Sequence, residues 1–334
     1  MITQQELALC VICRDDADNV ARLVTEARKY VHEIVIVDTG STDGSPARAR
    51  EAGADVVTEA AAELNTAGHL RSFGEARQLS YDIAVSPWRL WLDTDDTLND
   101  WTALPEIAMV GNRLRQERGP ISVELRYDYS WTPDRSRCMQ SFYRERFTHR
   151  DDGWSWHRPV HEYLNCKSQV TKVRPPHLWV THLSQGARGI ANDRNLRILR
   201  EWERTTGPAE DPGTLYYYLG DEMLARDNWA EAVAYFNKVH EGSSFKLQAL
   251  FRTGRAMINS QMYDEAIKHF NAAILKHGQV AHLHWELSRA LWNTGNRSEA
   301  LHVLAGSEKF EPINSEDPGL FCHLANAMGL QKAA

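Results

Sequence analysis

Trp88-Arg89-Leu90-Trp91-Leu92-Asp93-Thr94-Asp95-Asp96 decides the reading of this chain. Five mostly apolar residues run directly into three carboxylates and a threonine. A short continuous apolar run is the pattern of a parallel strand covered on both faces, where alternation disappears. The carboxylates then fall at the C-terminal end of the strand, the edge where open α/β sheets bind ligands. Three acids in four residues repel one another, so positive charge is expected among them. A divalent cation with oxygen ligands is the natural candidate, and Mg²⁺ or Mn²⁺ held by few carboxylates usually carries a phosphate as well. A solvated acidic turn is the competing reading, and the preceding sequence arbitrates.

Upstream, the chain reads strand, helix, strand, helix, strand. Leu7 to Cys13 is an apolar run, and Val20, Leu23, Val24, Ala27 and Val31 then follow a helical period. Glu33 to Val37 is a β-branched strand ending at Asp38, followed by the loop Thr39-Gly40-Ser41-Thr42-Asp43-Gly44. Ser45-Pro46 supplies an N-cap and first helical position for Ala47 to Ala52, and Ala54 to Thr58 is a third strand. Such alternation predicts a parallel sheet with helices on its faces. Acidic loops then fall at two strand ends, Asp38 and Asp93, and both should face one crevice. Residues 60 to 72 read as loop or short helix. Phe73-Gly74-Glu75-Ala76-Arg77-Gln78 leads a helix to about Val85, which sets Arg77 near the crevice as an anion contact or as an ordinary surface arginine.

The chain has 334 residues, enough for about two domains, with a formal net charge of -7. That charge leaves no general basic field for nucleic acid or an anionic membrane. Five scattered cysteines do not form a disulfide framework, and Cys10 and Cys13 lie inside a strand pattern where their side chains are structural. No apolar run reaches the ~20 residues needed to span a bilayer. Leu7 to Cys13 is short and followed by acids, unlike a signal peptide, so the expected location is cytoplasmic.

Downstream, Asn99 to Gly119 is expected to be helical and connecting. Ile121 to Tyr129 alternates strictly, the pattern of a half-buried strand. Residues 130 to 165 are dense in aromatics and charge. Within them Trp154 and Trp156 share one face of an extended segment, either as a stacking platform or as core. His157, His161, His177 and His182 are compatible with a zinc site as a bare pattern, but no cysteines join them. The more economical reading uses His182 alone, at the end of the strand Leu178 to His182, as a metal ligand or a hydrogen-bonded buried histidine.

Beyond Ile190 to Glu203, read as a helix, and a linker from Thr206 to Gly213, the chain repeats. Ala232, Ala266 and Ala300 share one register, as do Gly220 and Gly254, and Phe236, Phe270 and Leu304. Trp229 and Tyr263 share another register, where the third repeat has Arg297. This period resembles tetratricopeptide (TPR) helix pairs, about three of them plus a last helix from Pro318 to Leu330. Such a stack would hold a protein or peptide, form a homodimer surface or serve as a structural extension.

Asp38-Thr39-Gly40-Ser41-Thr42-Asp43-Gly44, Phe73-Gly74-Glu75-Ala76-Arg77, Trp91-Leu92-Asp93-Thr94-Asp95-Asp96 and Val160-His161-Glu162 together resemble the signature of family-2 glycosyltransferases of the GT-A fold. The match covers roughly residues 5 to 185. It implies a GT-A (Rossmann-like) α/β nucleotide-sugar-binding domain over 1–187, followed by an all-α TPR domain over 188–334. The implied activity is inverting sugar transfer from a nucleotide-diphosphate donor, with UDP expected. By position, Asp38 would contact the base, Asp93 the ribose and Arg77 the uridine or diphosphate. Asp16 and Arg146 are further donor-side candidates. Asp95 would bind Mn²⁺ or Mg²⁺ with His182 beside it. Glu162 is the candidate base and His161 its rival. The chain departs from the pattern in having Arg14-Asp15-Asp16 where Lys-Asn-Glu is common, and Gln78 where Asn is common. The competing classes are a non-catalytic scaffold on a decayed transferase, a transferase acting on envelope glycan or lipid precursors, and a nucleotidyltransferase. The last would need a Gly-rich basic loop that is not present after the first strand.

Overall fold

The computed structural model describes residues 6–183, 193–206 and 212–310. The chain divides into two compact units, Met1–Ala187 and Arg188–Ala334.

The first unit is α/β. Strand β1 (Leu7–Cys13) pairs in parallel with β2 (Glu33–Asp38) and with β6 (Trp88–Trp91), and β2 pairs in parallel with β3 (Val56–Glu59). Next to β6 the sheet changes direction. β9 (Cys138–His149) is antiparallel to β6 and to β8 (Ile121–Trp131), while β13 (Trp179–His182) runs parallel to β8. β7 (Asp96–Leu98) closes that edge against β13, and β12 (Thr171–Val173) also pairs with β8, giving the nine-stranded order β3-β2-β1-β6-β9-β8-β13-β7 with β12 off the path. Residues 60–72, read as loop or short helix, hold α3 (Ala61–Leu64) and the two-residue strands β4 (Asn65–Thr66) and β5 (His69–Leu70).

Period-two geometry assigns the two faces of β1 to two cores. Leu7, Leu9 and Val11 pack with Val20, Leu23, Val24 and Ala27 of α1 (Ala17–Ala27) and with Leu104 and Ala108 of α5 (Leu104–Arg118). Ala8 and Cys10 pack on the other face with Tyr81 of α4 (Phe73–Ile83), Trp91, Trp154 and Trp156. The short helix α2 (Ser45–Ala52) lies against α1 and follows the loop after β2.

The second strand-rich half differs from its sequence reading. β8 reads as half-buried, yet Ser122, Glu124 and Asp128 on its polar side are buried, and of that side over 121–129 Arg126 alone is partly exposed. Glu124 survives there because Lys172 and Arg174 hold its two oxygens at 2.5 and 2.7 Å. Trp154 and Trp156 belong to a hairpin, β10 (Trp154–His157) with β11 (Tyr163–Cys166).

The second unit is all-α. α6 (Arg194–Thr206) precedes three helix pairs: α7 (Pro212–Leu224) with α8 (Trp229–Asn237), α9 (Lys246–Asn259) with α10 (Tyr263–His277), and α11 (Ala281–Asn293) with α12 (Arg297–Gly306). The repeat register is a packing rule: a Cβ on Gly220 would stand 2.5 Å from the ring of Phe236, and one on Gly254 would stand 2.1 Å from that of Phe270. The third pair replaces both partners, with buried Ser288 and Leu304 in the equivalent places. Most of the linker and the expected helix from Pro318 lie outside the described residues. The expected fold class, an α/β unit followed by TPR-type helices, is the one observed.

Candidate active site

The acid run forms a tight turn between β6 and β7, closed by the Asp96 amide donating to the Asp93 carbonyl at 3.0 Å. Strand register then delivers the histidine, because β13 pairs with β7 so that His182 stands opposite Asp96. The Leu183 amide donates to the Asp95 carbonyl at 2.7 Å and fixes the next residue too. His182 Nδ1 lies 3.6 Å from Asp95 Oδ1 and 3.3 Å from Asp96 Oδ1. Tyr127 of β8 donates its hydroxyl to Asp96 Oδ1 at 2.8 Å and sits 3.1 Å from His182 Nδ1. Burial alone would lower the His182 pKa, but the hydrogen bond to Asp96 and the charges of Asp95, Asp96 and Asp93 raise it. Burial, with Asp96 and Asp93 adding to it, pushes the Tyr127 pKa up, so the phenol stays protonated.

The positive charge expected among the acids comes first from the protein itself. Arg77 Nη2 meets Asp93 Oδ1 at 2.6 Å, Arg146 Nη1 meets Asp96 Oδ2 at 3.2 Å, and His182 faces Asp95 and Asp96. Burial opposes ionisation of Asp93, yet the charges of Arg77 and Arg146 hold its carboxyl well below the usual carboxylate range. Repulsion among the acids is therefore not by itself an argument for a metal. The donor set is a better one. Asp95, Asp96 and His182 each offer one ligand atom, all within 4.8 Å of one another, and this is the one such cluster among the described residues. Asp96 already serves Arg146 and Tyr127. Two carboxylates with one imidazole are a donor set that could hold a divalent cation.

A glycine explains how Glu162 reaches the same place. Phe73 donates its amide to the Pro159 carbonyl at 2.7 Å, and a Cβ on Gly74 would stand 2.4 Å from the Arg158 carbonyl oxygen. The start of α4 thus lies flat on the segment leading to Glu162. Ser72 caps that helix by accepting from the Glu75 amide at 3.0 Å. One turn in, Arg77 donates from Nε to Glu162 Oε1 at 2.8 Å while its other end holds Asp93. Its guanidinium stacks 4.6 Å from the Trp91 ring centroid and 5.3 Å from that of Trp156. Arg77 is thus a buried bridge between the acid turn and the candidate base, not an arginine open to solvent. His161 is exposed and sits at φ +53°, in the left-handed region that costs a non-glycine residue energy.

The loops after β1 and β2 are stitched together. Asp15 accepts from the Thr42 amide at 2.7 Å, Ser41 Oγ accepts from the Asp15 amide at 2.8 Å, and Ser45 Oγ accepts from the Asp16 amide at 2.9 Å. Asp38 is buried and accepts from the Gly40 and Ser41 amides, each at 3.0 Å. Asp16 accepts a hydrogen bond from the Thr94 hydroxyl, which ties the first loop to the acid turn. Asp16, Asp38, Asp93 and Asp95 therefore all lie at the C-terminal edge of the parallel strands, as expected.

One expectation needs correction, and two open readings are decided. Arg146 is fully buried, sandwiched 3.7 Å from the Trp91 centroid and 4.3 Å from that of Tyr127, so it supports Asp96 from within and cannot meet a donor directly. Trp154 and Trp156 are core: Trp156 meets Trp91 and Tyr81 edge-on at 5.0 and 5.8 Å. The histidines do not assemble as a set, since His157 stacks on Tyr163 whereas His182 joins the acids. Sequence reasoning missed Tyr127 and the role of Asp96. It also missed Arg22, whose Nη2 donates to the Thr94 and Asp96 carbonyls at 2.9 Å each, and Arg135, which donates to the His182 and Leu183 carbonyls at 3.0 and 2.7 Å. Asp96 was visible as the third acid of the run, but nothing local marks the others.

A tetratricopeptide repeat family model matches residues 248–279. A TPR repeat-containing protein of Synechococcus elongatus is 35% identical over 101 residues, 30% of this chain and 23% of that protein. An uncharacterized glycosyltransferase of Rickettsia felis is 28% identical over 95 residues, 28% of this chain and 30% of that one. The chain thus spans less than a third of these curated relatives. Among solved structures, MamA of strain AMB-1 aligns over 36% of this chain and 69% of its own, at 27% identity and a TM-score of 0.30. S. aureus TarS aligns over 76% and 54%, at 12% identity and a TM-score of 0.41. The chain accordingly has distant glycosyltransferase likeness and TPR-type repeats. No helix among the described residues is long and apolar enough to cross a membrane.

Proposed function

We propose that the first unit is an inverting, metal-dependent glycosyltransferase using a nucleotide-diphosphate sugar, with UDP as its nucleotide. The observation that carries this is the convergence of Asp38, Asp93, Asp95, Arg77, Glu162 and His182, from five separate segments, on one end of one sheet. Asp38 and Asp93 offer acceptors to the nucleoside. Asp95 and His182 would hold Mn²⁺ or Mg²⁺, which supplies a fixed positive charge for the departing diphosphate. Arg77 holds Asp93 and Glu162 in fixed orientation, so neither carboxylate must be ordered when substrate arrives. Glu162 then takes the acceptor proton. A carboxylate suffices when that proton leaves late, after the anomeric carbon has become cationic.

The acceptor is read as a protein or peptide held by the repeats, since TPR-type helix pairs present extended surfaces. A cytoplasmic location is part of the same proposal. The test is donor hydrolysis across a panel of nucleotide sugars with Mn²⁺ or Mg²⁺, comparing wild type with Glu162→Gln and His161→Asn. Glu162→Gln should lose about 10²- to 10⁴-fold in turnover with donor affinity little changed. Near-normal turnover in Glu162→Gln with loss in His161→Asn would transfer the base role to His161. No hydrolysis of any donor by the wild type would favour the scaffold reading.

A further inference from the structure

Three arginines surround one indole. The guanidinium carbons of Arg146, Arg77 and Arg144 lie 3.7, 4.6 and 5.4 Å from the Trp91 ring centroid. Two of them are committed to carboxylates: Arg146 to Asp96, and Arg77 to both Asp93 and Glu162. Arg144 is not. Among the described residues its one hydrogen bond runs from Nη2 to the backbone carbonyl of Glu162 at 3.3 Å, and no carboxylate lies within ion-pair distance. It is half-buried on β9, two residues from Arg146, which a register shift leaves without a partner on β8.

We propose that Arg144 is an anion-binding residue of the crevice that takes a phosphate-type group of a substrate beside Trp91 and Glu162. The assignment of that group to a substrate rests on the transferase reading; the anion preference rests on the cluster alone. Arg77, Arg144 and Arg146 face Asp93, Asp96 and the Glu162 side chain, but all three carboxylates are taken by the other two arginines. Burial lowers the Arg144 pKa, the charge of Arg146 and then that of Arg77 lower it further, and Glu162 and Glu145 only partly offset them. A cation in that position gains from any anion that displaces its water, and the loss of solvent screening enlarges the gain. A guanidinium offers paired N–H donors in a fixed fork that matches phosphate oxygens, and the Trp91 ring lies within cation–π distance of it. Arginine is also a better choice than lysine at a stacked site, which is a reason for its presence here other than charge.

The phosphate has two sources, the donor's diphosphate and a phosphate carried by the acceptor. Calorimetric titration of the full chain separates them. Inorganic pyrophosphate is titrated in the presence of EDTA, and UDP and uridine are titrated with Mn²⁺, into wild type, Arg144→Gln and Arg144→Lys. The expected result is about 10- to 100-fold weaker pyrophosphate binding in Arg144→Gln, the size of one charge-assisted contact, with uridine unchanged. Arg144→Lys should recover part of the loss by keeping the charge without the fork, and it reads the same effect if the glutamine variant does not fold. A parallel loss for UDP places the donor diphosphate on Arg144, and an unchanged UDP affinity with pyrophosphate lost places the anion on the acceptor. Pyrophosphate and UDP affinities within twofold of wild type in both variants would overturn the proposal and make Arg144 a packing residue. Asp95→Ala with unaltered UDP affinity would instead overturn the transferase reading and leave the anion site standing.

Discussion

Arg77→Met removes the bridge between the acid turn and Glu162, and the structure sets the size of the effect. The Arg77 side chain is 8% exposed, Glu162 13% and Asp93 32%. Breaking a buried pair by removing one partner costs about 3–5 kcal/mol, because the other charge is left without compensation. The Glu162 contact falls in that class, while the third-exposed Asp93 contributes nearer the ~1 kcal/mol of a surface pair. The Met side chain keeps apolar contact with Trp91 and Trp156 but loses the cation–π attraction, roughly 1 kcal/mol. The sum is about 5–7 kcal/mol at pH 7. Its pH dependence follows from Asp93, whose folded pKa is depressed. Such a group contributes stability that is present above the unfolded value near 4 and is lost as pH falls through the folded value. In Arg77→Met the first of the charges that hold the Asp93 carboxyl down is gone while the burial that opposes its ionisation remains, so acid relieves the variant before it harms the wild type. The gap should therefore narrow from pH 7 towards pH 4. Native-state hydrogen exchange of the β1 and β6 amides reads it locally. A gap below about 1 kcal/mol at pH 7, or one that does not shrink in acid, would refute the bridging role.

Gly254→Ala should destabilise the repeats by roughly 1–3 kcal/mol despite better helix propensity, because the new methyl meets Phe270. Phe270→Leu should restore part of that loss, following the smaller pair of the third repeat, with thermal melting as the readout. Burial pushes the Cys10 and Cys13 thiols up to about 12, so both should escape alkylation at pH 8 until the chain unfolds, as read by mass spectrometry. Mn²⁺ needs neutral His182, whose pKa is raised, so Mn²⁺ affinity should fall as pH drops through a midpoint above the ordinary histidine value, measured by calorimetry. Truncation after Ala187 should retain donor hydrolysis and lose transfer to a macromolecular acceptor; equal loss of both with the fold intact would count against separable roles.

How much of this was legible depends on where each residue's partners lie in sequence. β1, β2 and β6 could be read because double burial writes a continuous apolar run. The repeats could be read because stacking forces small residues at Gly220 and Gly254 against Phe236 and Phe270 every turn of the pattern. β8 misled because burial was judged by polarity: Glu124 looks solvent-facing until Lys172 and Arg174, some fifty residues away, are known to hold it. β9 read as an aromatic and charged stretch for the same reason, since Arg146 is made tolerable inside only by Asp96, Trp91 and Tyr127. In the site, the acid run, Arg77 and Glu162 were marked by local motifs. That Arg77 joins the acid run to Glu162 is a tertiary fact. So are the hydrogen bonds of Tyr127 and Arg135, since nothing beside them in sequence distinguishes a tyrosine that touches Asp96 from one that does not.

The central claim is that Asp95 and His182 make donor binding metal-dependent at this sheet edge, and titration of UDP with and without Mn²⁺ tests it most directly. The account expects UDP to bind the wild type much more tightly with Mn²⁺, and Asp95→Ala and His182→Ala to abolish that difference. UDP affinity that is independent of Mn²⁺ and unchanged in Asp95→Ala would contradict it.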